Sequence, residues 1–365
     1  MSSKVSSNND MTVNEIEISV VIPTFNRRDM LRDMLLTFCD QTLSPKRFEV
    51  IVVVDGSTDG TWEMLNELQT PFRLKPFYQE NGGQGSDVFS SGVSIARNKG
   101  ANAAEGGTLL FLDDDLLPRP ELLEAHANFH RDDSRAVVLG RLLPAIGRYP
   151  NKKGWNVWEE EVLANHYRLM GEGDRPPAGW RLYSGNFSVN RRMFLEVGAF
   201  DLKFGHIRGE DVELGFRLED AGAGFYFGSD AGAEHLGFRT FISWCNSAYI
   251  LGPRDMALAK QMGRHELIPQ MLQRYHSKSV VLKAAVQVTF NKRARRVAVA
   301  GLRVSAGIIE RLKVQQLAHK IYSVIFQMQY WNGVADELGG RNGFNEFISG
   351  GKNGVRPSSQ NELVG

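Results

Sequence analysis

Two short runs in this sequence put carboxylates directly behind apolar segments. Asp55 follows Phe48–Val54, and Asp113, Asp114 and Asp115 follow Thr108–Leu112. Aspartates gathered at the carboxyl ends of buried strands repel one another, which raises their pKa values and costs stability. A divalent cation resolves the conflict, and aspartates at i and i+2 can contribute to one ion. Such an ion bridges naturally to a diphosphate, whose charge must be neutralised as it leaves. Any one of these residues alone reads equally well as a turn former, Asp114 and Asp59 above all. Their joint occurrence behind two apolar strands favours a site.

A third acidic run, Gly209-Glu210-Asp211-Val212-Glu213-Leu214, opens a predicted helix. Favourable placement on the helix dipole accounts for Glu213. For Asp211 it competes with a catalytic reading, in which a carboxylate kept ionised by the helix N-terminus is a weak base that takes the proton of an attacking hydroxyl. His235 follows Glu234 at the end of a short apolar strand. A lone histidine is more often an ordinary core or surface residue; as a ligand it would add a nitrogen to an oxygen-rich site, which suits Mn²⁺ better than Ca²⁺. Arg97, before Asn98 and Lys99, is a candidate for neutralising the aspartates or holding phosphate.

The elements that must position these groups alternate. Glu17–Pro23 reads as a strand, and Met30, Leu31, Met34, Leu35 and Phe38 follow at helical spacing, with Asn26 as the expected cap. Phe48–Val54 reads as a strand covered on both faces, and Asp55–Gly60 turns into a helix carrying Trp62, Met64, Leu65 and Leu68. A glycine-rich loop, Asn81–Gly85, leads to a helix and then to the strand Thr108–Leu112. This order implies an α/β fold with a mostly parallel central sheet, on which ligands bind beyond the carboxyl ends of the strands. Short strands at Leu182–Val189 and Phe225–Phe227 follow, then a helix from Asp211 to about Gly222 between them, and helices beyond about Pro253. In the last region, basic residues from Lys292 to Lys320 alternate with Leu, Ile and Val. A helix packed on the body with a solvated basic face is the expectation, and an interfacial amphipathic helix the alternative.

The 365 residues, 42% of them hydrophobic, suffice for a large core. A net charge of +1 gives no global field for nucleic acid. Cys39 and Cys245 are too sparse for a disulfide framework and are expected to be buried thiols in a reducing, cytoplasmic compartment. Neither a secretory signal nor a spanning helix is expected, which leaves peripheral membrane contact or homo-oligomerisation through the C-terminal helices as options.

Taken in order, Val20–Arg27, Val53–Thr61, Ala96–Gly100, Phe111–Asp115 and Gly209–Leu214 resemble glycosyltransferase family 2, over about Ile18 to Gly237. The resemblance implies a GT-A fold (Rossmann-like) with a helical C-terminal extension, and inverting transfer of a sugar from a nucleotide diphosphate donor, UDP favoured, to a saccharide or lipid-linked acceptor. It implies that Pro23, Thr24 and Arg27 line the nucleotide pocket and that Asp55 accepts the base N3–H. Arg97 would approach the diphosphate, Asp113 would face ribose, and Asp115 with His235 would hold Mn²⁺ or Mg²⁺. Asp211 matches the general base, Asp114 joins the donor-binding set, and Gly185, Asn186 and Glu210 are acceptor-side candidates. Val54 stands where many relatives have a first aspartate, and Ile207-Arg208-Gly209 replaces a familiar Trp-Gly.

The organisation expected from these readings is a disordered segment 1–15, a transferase domain 16–252 with donor and acceptor halves meeting near 135, a helical region 253–338 and a disordered tail 339–365. A sugar nucleotidyltransferase is disfavoured because Pro23-Thr24-Phe25-Asn26 is no glycine-rich loop. A dehydrogenase is disfavoured because Gly82-Gly83-Gln84-Gly85 lacks the G-x-G-x-x-G spacing. A non-catalytic nucleotide-sugar binder on the same fold is the alternative from another class. Among the tryptophans, Trp155, Trp158, Trp180 and Trp244 are candidates for stacking on sugar rings, although such residues more often build cores.

Overall fold

The computed structural model describes residues 16–80, 89–144, 153–237 and 239–350. The expected disordered segment 1–15, the glycine loop 81–85 and the end of the expected tail lie outside them.

The first half runs β1 (Ile18–Thr24), α1 (Arg28–Thr37), β2 (Phe48–Asp55), α2 (Thr61–Glu67), β3 (Arg73–Gln79), α3 (Phe89–Ala103) and β4 (Thr108–Leu112). Next come β5 (Leu116–Pro118), α4 (Leu122–Asp132), β6 (Ala136–Pro144), α5 (Gly154–Gly171), β7 (Asn186–Asn190), α6 (Arg191–Glu196), α7 (Glu210–Asp220) and β8 (Gly224–His235). All eight strands form one sheet in the order β3-β2-β1-β4-β7-β6-β8-β5. β1, β2, β3 and β4 are mutually parallel, but β7 runs antiparallel to β4 and β6, and β5 antiparallel to β8. The sheet is therefore mixed, and more so than the sequence suggested.

Every residue of β1, β2 and β4 is buried. Side chains alternate across a strand, so each strand feeds two cores. Val20, Ile22, Val50, Val52 and Val54 join Leu31, Met34, Leu65 and Leu122 beneath α1, α2 and α4. Val21, Ile51, Val53 and Phe111 join Ala96, Leu214 and Leu218 beneath α3 and α7 on the other face. Asn26 does not cap α1. It adopts φ 50°, and its Oδ1 accepts from the Thr58 amide, tying the turn after β1 to the turn after β2.

The second half is helical: α8 (Phe241–Gln261), α9 (Leu267–His276), α10 (Val280–Val288), α11 (Lys292–Arg311), α12 (Gln315–Glu337) and α13 (Arg341–Ile348). The boundary expected at 252/253 falls inside α8, which passes through Pro253. The backbones of α8 and α12 approach closely there. A Cβ on Gly252 would lie 2.7 Å from the Val334 nitrogen, and one on Gly333 would meet the Tyr249 carbonyl oxygen, the acceptor that the missing proline N–H leaves free. The tail expected from residue 339 includes α13, whose Phe344 and Phe347 are buried against Tyr275 and Trp331 in the helical core. Cys245 is buried as expected; Cys39 is exposed, at the end of α1 rather than beneath it.

Candidate active site

The carboxyl ends of β1, β2 and β4 deliver the first set of groups. β1 and β2 pair in register from Ile18 with Phe48 to Thr24 with Val54, so Thr24 and Asp55 emerge side by side. Pro23 is buried in β1 opposite Val53. Asp55 Oδ1 accepts from Gln79 Nε2 at 2.8 Å, the residue in register with it on β3.

The three consecutive aspartates face different partners. Asp113 Oδ1 accepts from Arg97 Nη2 at 2.7 Å, and Arg97 is buried with its Nε unpartnered. Asp114 is buried; its oxygens accept from Thr24 Oγ1 and Arg27 Nη1, each at 2.7 Å. Burial pushes the Asp114 carboxyl up to about 6, with Arg27 and Thr24 pulling the other way. This residue braces β1 against β4, so its carboxylate is already spent on protein partners. Asp115 Oδ2 accepts from Arg27 at 3.0 Å, while its Oδ1 is shut off from solvent and accepts no hydrogen bond.

His235 reaches Asp115 through strand pairing. β5 and β8 place Leu116 opposite His235, and the Leu236 amide donates to the Asp115 carbonyl at 2.7 Å. His235 Nε2 then lies 3.6 Å from Asp115 Oδ1. The next turn needs glycine: a Cβ on Gly237 would sit 2.6 Å from His235 Nε2 and 3.2 Å from Asp115 Oδ2. An orphaned carboxylate oxygen facing an imidazole nitrogen across a cradle free of side chains is a donor pair that suits a divalent cation. Among the described residues no group of three or more His, Cys, Asp or Glu is gathered tightly enough to hold an ion unaided.

Asp113, Gly185, Asp211 and His235 line a single cavity of about 780 Å³. Its far wall is α5, with Trp158 and Glu159, and α12, with Ser323, Phe326 and Gln327. Asp211 opens α7, where its Oδ1 accepts from the Val212 amide. Burial nevertheless raises its pKa, opposed by the positive charges of Arg254 and Arg97. The helix N-terminus was expected to leave Asp211 a weak base, and desolvation outweighs it. Glu210, beside it, is buried with Oε2 unpartnered, and burial followed by the Asp211 charge pushes it up to about 7. Asn186 does not face the cavity as an acceptor-side residue would. It is fully buried in β7, and its amide donates to the Ala231 carbonyl at 3.0 Å, with His126 Nε2 3.1 Å from its oxygen. Trp155 and Trp244 build the helical core, and Trp180 is exposed under Arg181, which leaves Trp158 as the tryptophan at the cavity.

Sequence reasoning missed Gln79, Arg254 and the three α12 residues. Gln79 follows the same strand-end rule as Asp55, which would have found it had β3 been read as a strand. The others sit in helices with no local motif.

Residues 19–198 match the family model for glycosyl transferase family 2. The chain is 32% identical over 225 residues to validoxylamine A glucosyltransferase of Streptomyces hygroscopicus subsp. limoneus, covering 56% of this chain and 48% of that protein. It is 25% identical over 241 residues to chondroitin synthase of Escherichia coli, covering 59% of this chain and 34% of that one. The match thus spans about half the length of the Streptomyces relative and less of the other. In three dimensions it resembles a mannosyltransferase from Pyrobaculum calidifontis, solved in complex with GDP-Man and Mn²⁺, at TM-score 0.56 and 16% identity, over 87% of this chain and 86% of that one. TarS of S. aureus aligns at TM-score 0.50 and 16% identity, over 86% of this chain and 55% of that one. Such likeness speaks for the fold, so the chain is built on the GT-A fold, and the match over residues 19–198 means that this segment belongs to glycosyltransferase family 2.

Proposed function

We propose that the chain is an inverting transferase that moves a sugar from a UDP-linked donor to a hydroxyl of a saccharide or lipid-linked acceptor. The observation that carries this reading is the shared cavity: a half-buried carboxylate with a raised pKa, Asp211, lines the same cavity as Asp113 and His235. Thr24 and Asp55 receive the nucleotide at the ends of β1 and β2, where Gln79 holds the Asp55 carboxylate in position. Arg97, anchored on Asp113, turns its remaining N–H groups to the diphosphate. Asp211 accepts the proton of the acceptor hydroxyl as that oxygen attacks the anomeric carbon in line with the departing diphosphate, so the centre inverts. Burial makes Asp211 a stronger base than an exposed aspartate.

Asp115 and His235 are the residues that would hold Mn²⁺ or Mg²⁺, with the donor's diphosphate supplying further oxygens. The chemistry such a cation supplies when bound is neutralisation of leaving-group charge. Two unpaired cysteines suit a reducing, cytoplasmic location.

Thermal-shift screening of UDP- and GDP-linked sugars with and without Mn²⁺ names the donor, and release of nucleotide over an acceptor panel then measures transfer. Asp211→Asn should lower transfer by about 10³-fold with donor binding intact. A variant that keeps full activity removes Asp211 from the base role. A non-catalytic binder would show the donor-induced thermal shift without nucleotide release on any acceptor.

A further inference from the structure

Helix α11 is apolar on two opposite sides. Val299, Leu302 and Ile309 pack into the helical cores, and Ala306 is fully buried with them. Facing away from those cores, Val297, Val304 and Ile308 are 73%, 62% and 53% exposed. Spacings of seven and four residues align these three in one stripe along the helix. Leu312, Val314 and Leu317 continue the exposed apolar surface through the turn into α12, and Val280, Val281 and Val288 of α10 are exposed as well. Most of the exposed large apolar side chains of the described residues therefore fall in this short stretch. The helix packs on the body with basic residues on its solvated face, and that face carries this apolar stripe as well.

The charge of the same stretch is one-sided. Lys278 to Lys320 contains ten lysines and arginines against a single acid, Glu310, in a chain whose net charge is +1. Glu310 accepts from the Tyr322 hydroxyl, and among the described residues the ion pairs of this stretch are Arg295 with Asp336 and His319 with Glu161. Arg293 and Arg311, four and fourteen residues from Val297, flank the stripe at its two ends, and Arg296 lies along its side. An apolar stripe rimmed by unpaired arginines and lysines is the composition of a helix that lies in a lipid interface, its aliphatic groups entering the acyl boundary while the long basic side chains reach the headgroup phosphates.

We infer that α11, with the turn into α12, docks this protein on an anionic lipid surface. Juxtaposing two such faces in a homodimer would oppose two sets of like charges with a single carboxylate on each, Glu310, already held by the Tyr322 hydroxyl, whereas an anionic bilayer complements both the charge and the apolar stripe. No helix of the described residues is long and apolar enough to cross a membrane, so the contact is peripheral. It would also bear on the site: α11 packs on α12, whose Ser323, Phe326 and Gln327 line the cavity. The acceptor cavity would then lie one helix away from the bilayer.

The test is co-sedimentation of the full chain with vesicles of phosphatidylcholine alone and of phosphatidylcholine mixed with phosphatidylglycerol. Binding to the mixed vesicles alone, weakened by salt, is expected. Val304→Asp combined with Ile308→Asp should abolish it, while Leu36→Asp, at an exposed apolar position on α1, should not. Arg293→Gln combined with Arg296→Gln, which leaves the apolar stripe untouched, should weaken it by about 10-fold or more. Equal binding to both vesicles, binding to neither, or undiminished binding by a folded Val304→Asp/Ile308→Asp variant overturns the inference. So does a concentration-dependent dimer that these substitutions dissociate, since the face would then belong to a second copy. Because sedimentation reads binding without donor or acceptor, a failure of the proposed transfer reaction leaves this result unaffected.

Discussion

Glu210 and Asp211 stand together at the start of α7, and burial raises the pKa of each despite the helix dipole. For Glu210 the shift is from 4.5 to about 7. The folded protein thus keeps a proton that the unfolded chain has already released. Glu210 costs nothing below its unfolded pKa, and stability falls as pH rises through the window up to its folded value. Glu210→Gln removes that dependence, so its melting temperature should gain on the parent between about pH 4.5 and about pH 7. An unchanged gap across that range would contradict the assignment. At the other end of the site, Gly237→Ala puts a methyl group 2.6 Å from His235 Nε2 and forces the imidazole away from Asp115. The expected outcome is a smaller Mn²⁺-dependent thermal shift in the presence of UDP, with the metal-free melting temperature near that of the parent. These roles were unequally legible. Asp55 and Asp113 to Asp115 announce themselves by following apolar strands, whereas the difference between Asp114, locked by Thr24 and Arg27, and Asp115, with one oxygen orphaned, depends on partners about 90 residues away.

Among the elements, β1, β2 and β4 were readable because full burial on both faces demands unbroken apolar runs. β3 was not. It is an edge strand, half exposed, and carries Arg73, Lys75 and Pro76, a composition that edge strands tolerate and central ones exclude. β5 is three residues long, yet its pairing with β8 is what brings His235 to Asp115. The contact between α8 and α12 was equally invisible, since glycines in helices read as weak points until a neighbouring backbone occupies the space. Gly333→Ala should therefore destabilise the protein by about 1–3 kcal/mol, because the added methyl meets the Tyr249 carbonyl and Pro253 rather than a yielding side chain. Urea unfolding measures it, and a neutral or stabilising result would mean that the helices separate without cost.

In the whole molecule, the cavity joins the two halves. Its floor comes from strand ends of the sheet and its far wall from α5 and α12, so the helical region lines the same cavity as Asp113, Asp211 and His235 rather than standing apart from it. Phe326, packed on Trp158 and Trp244, is the residue that tests this. Phe326→Ala should raise the acceptor KM by about 10-fold and leave nucleotide affinity unchanged. Equal loss of both would assign Phe326 to general stability instead. The sequence by itself determined the alternation of strands and helices, the strand ends where acidic groups collect and the family those motifs belong to, because these depend on local periodicity and short spacings. Only the tertiary structure decided the reversal of β7, the meeting of Asp115 with His235, the raised pKa of Asp211 and the outward apolar stripe of α11. Each of these depends on which distant segments exclude water from a side chain, and burial of that kind is a property of packing that no local pattern encodes.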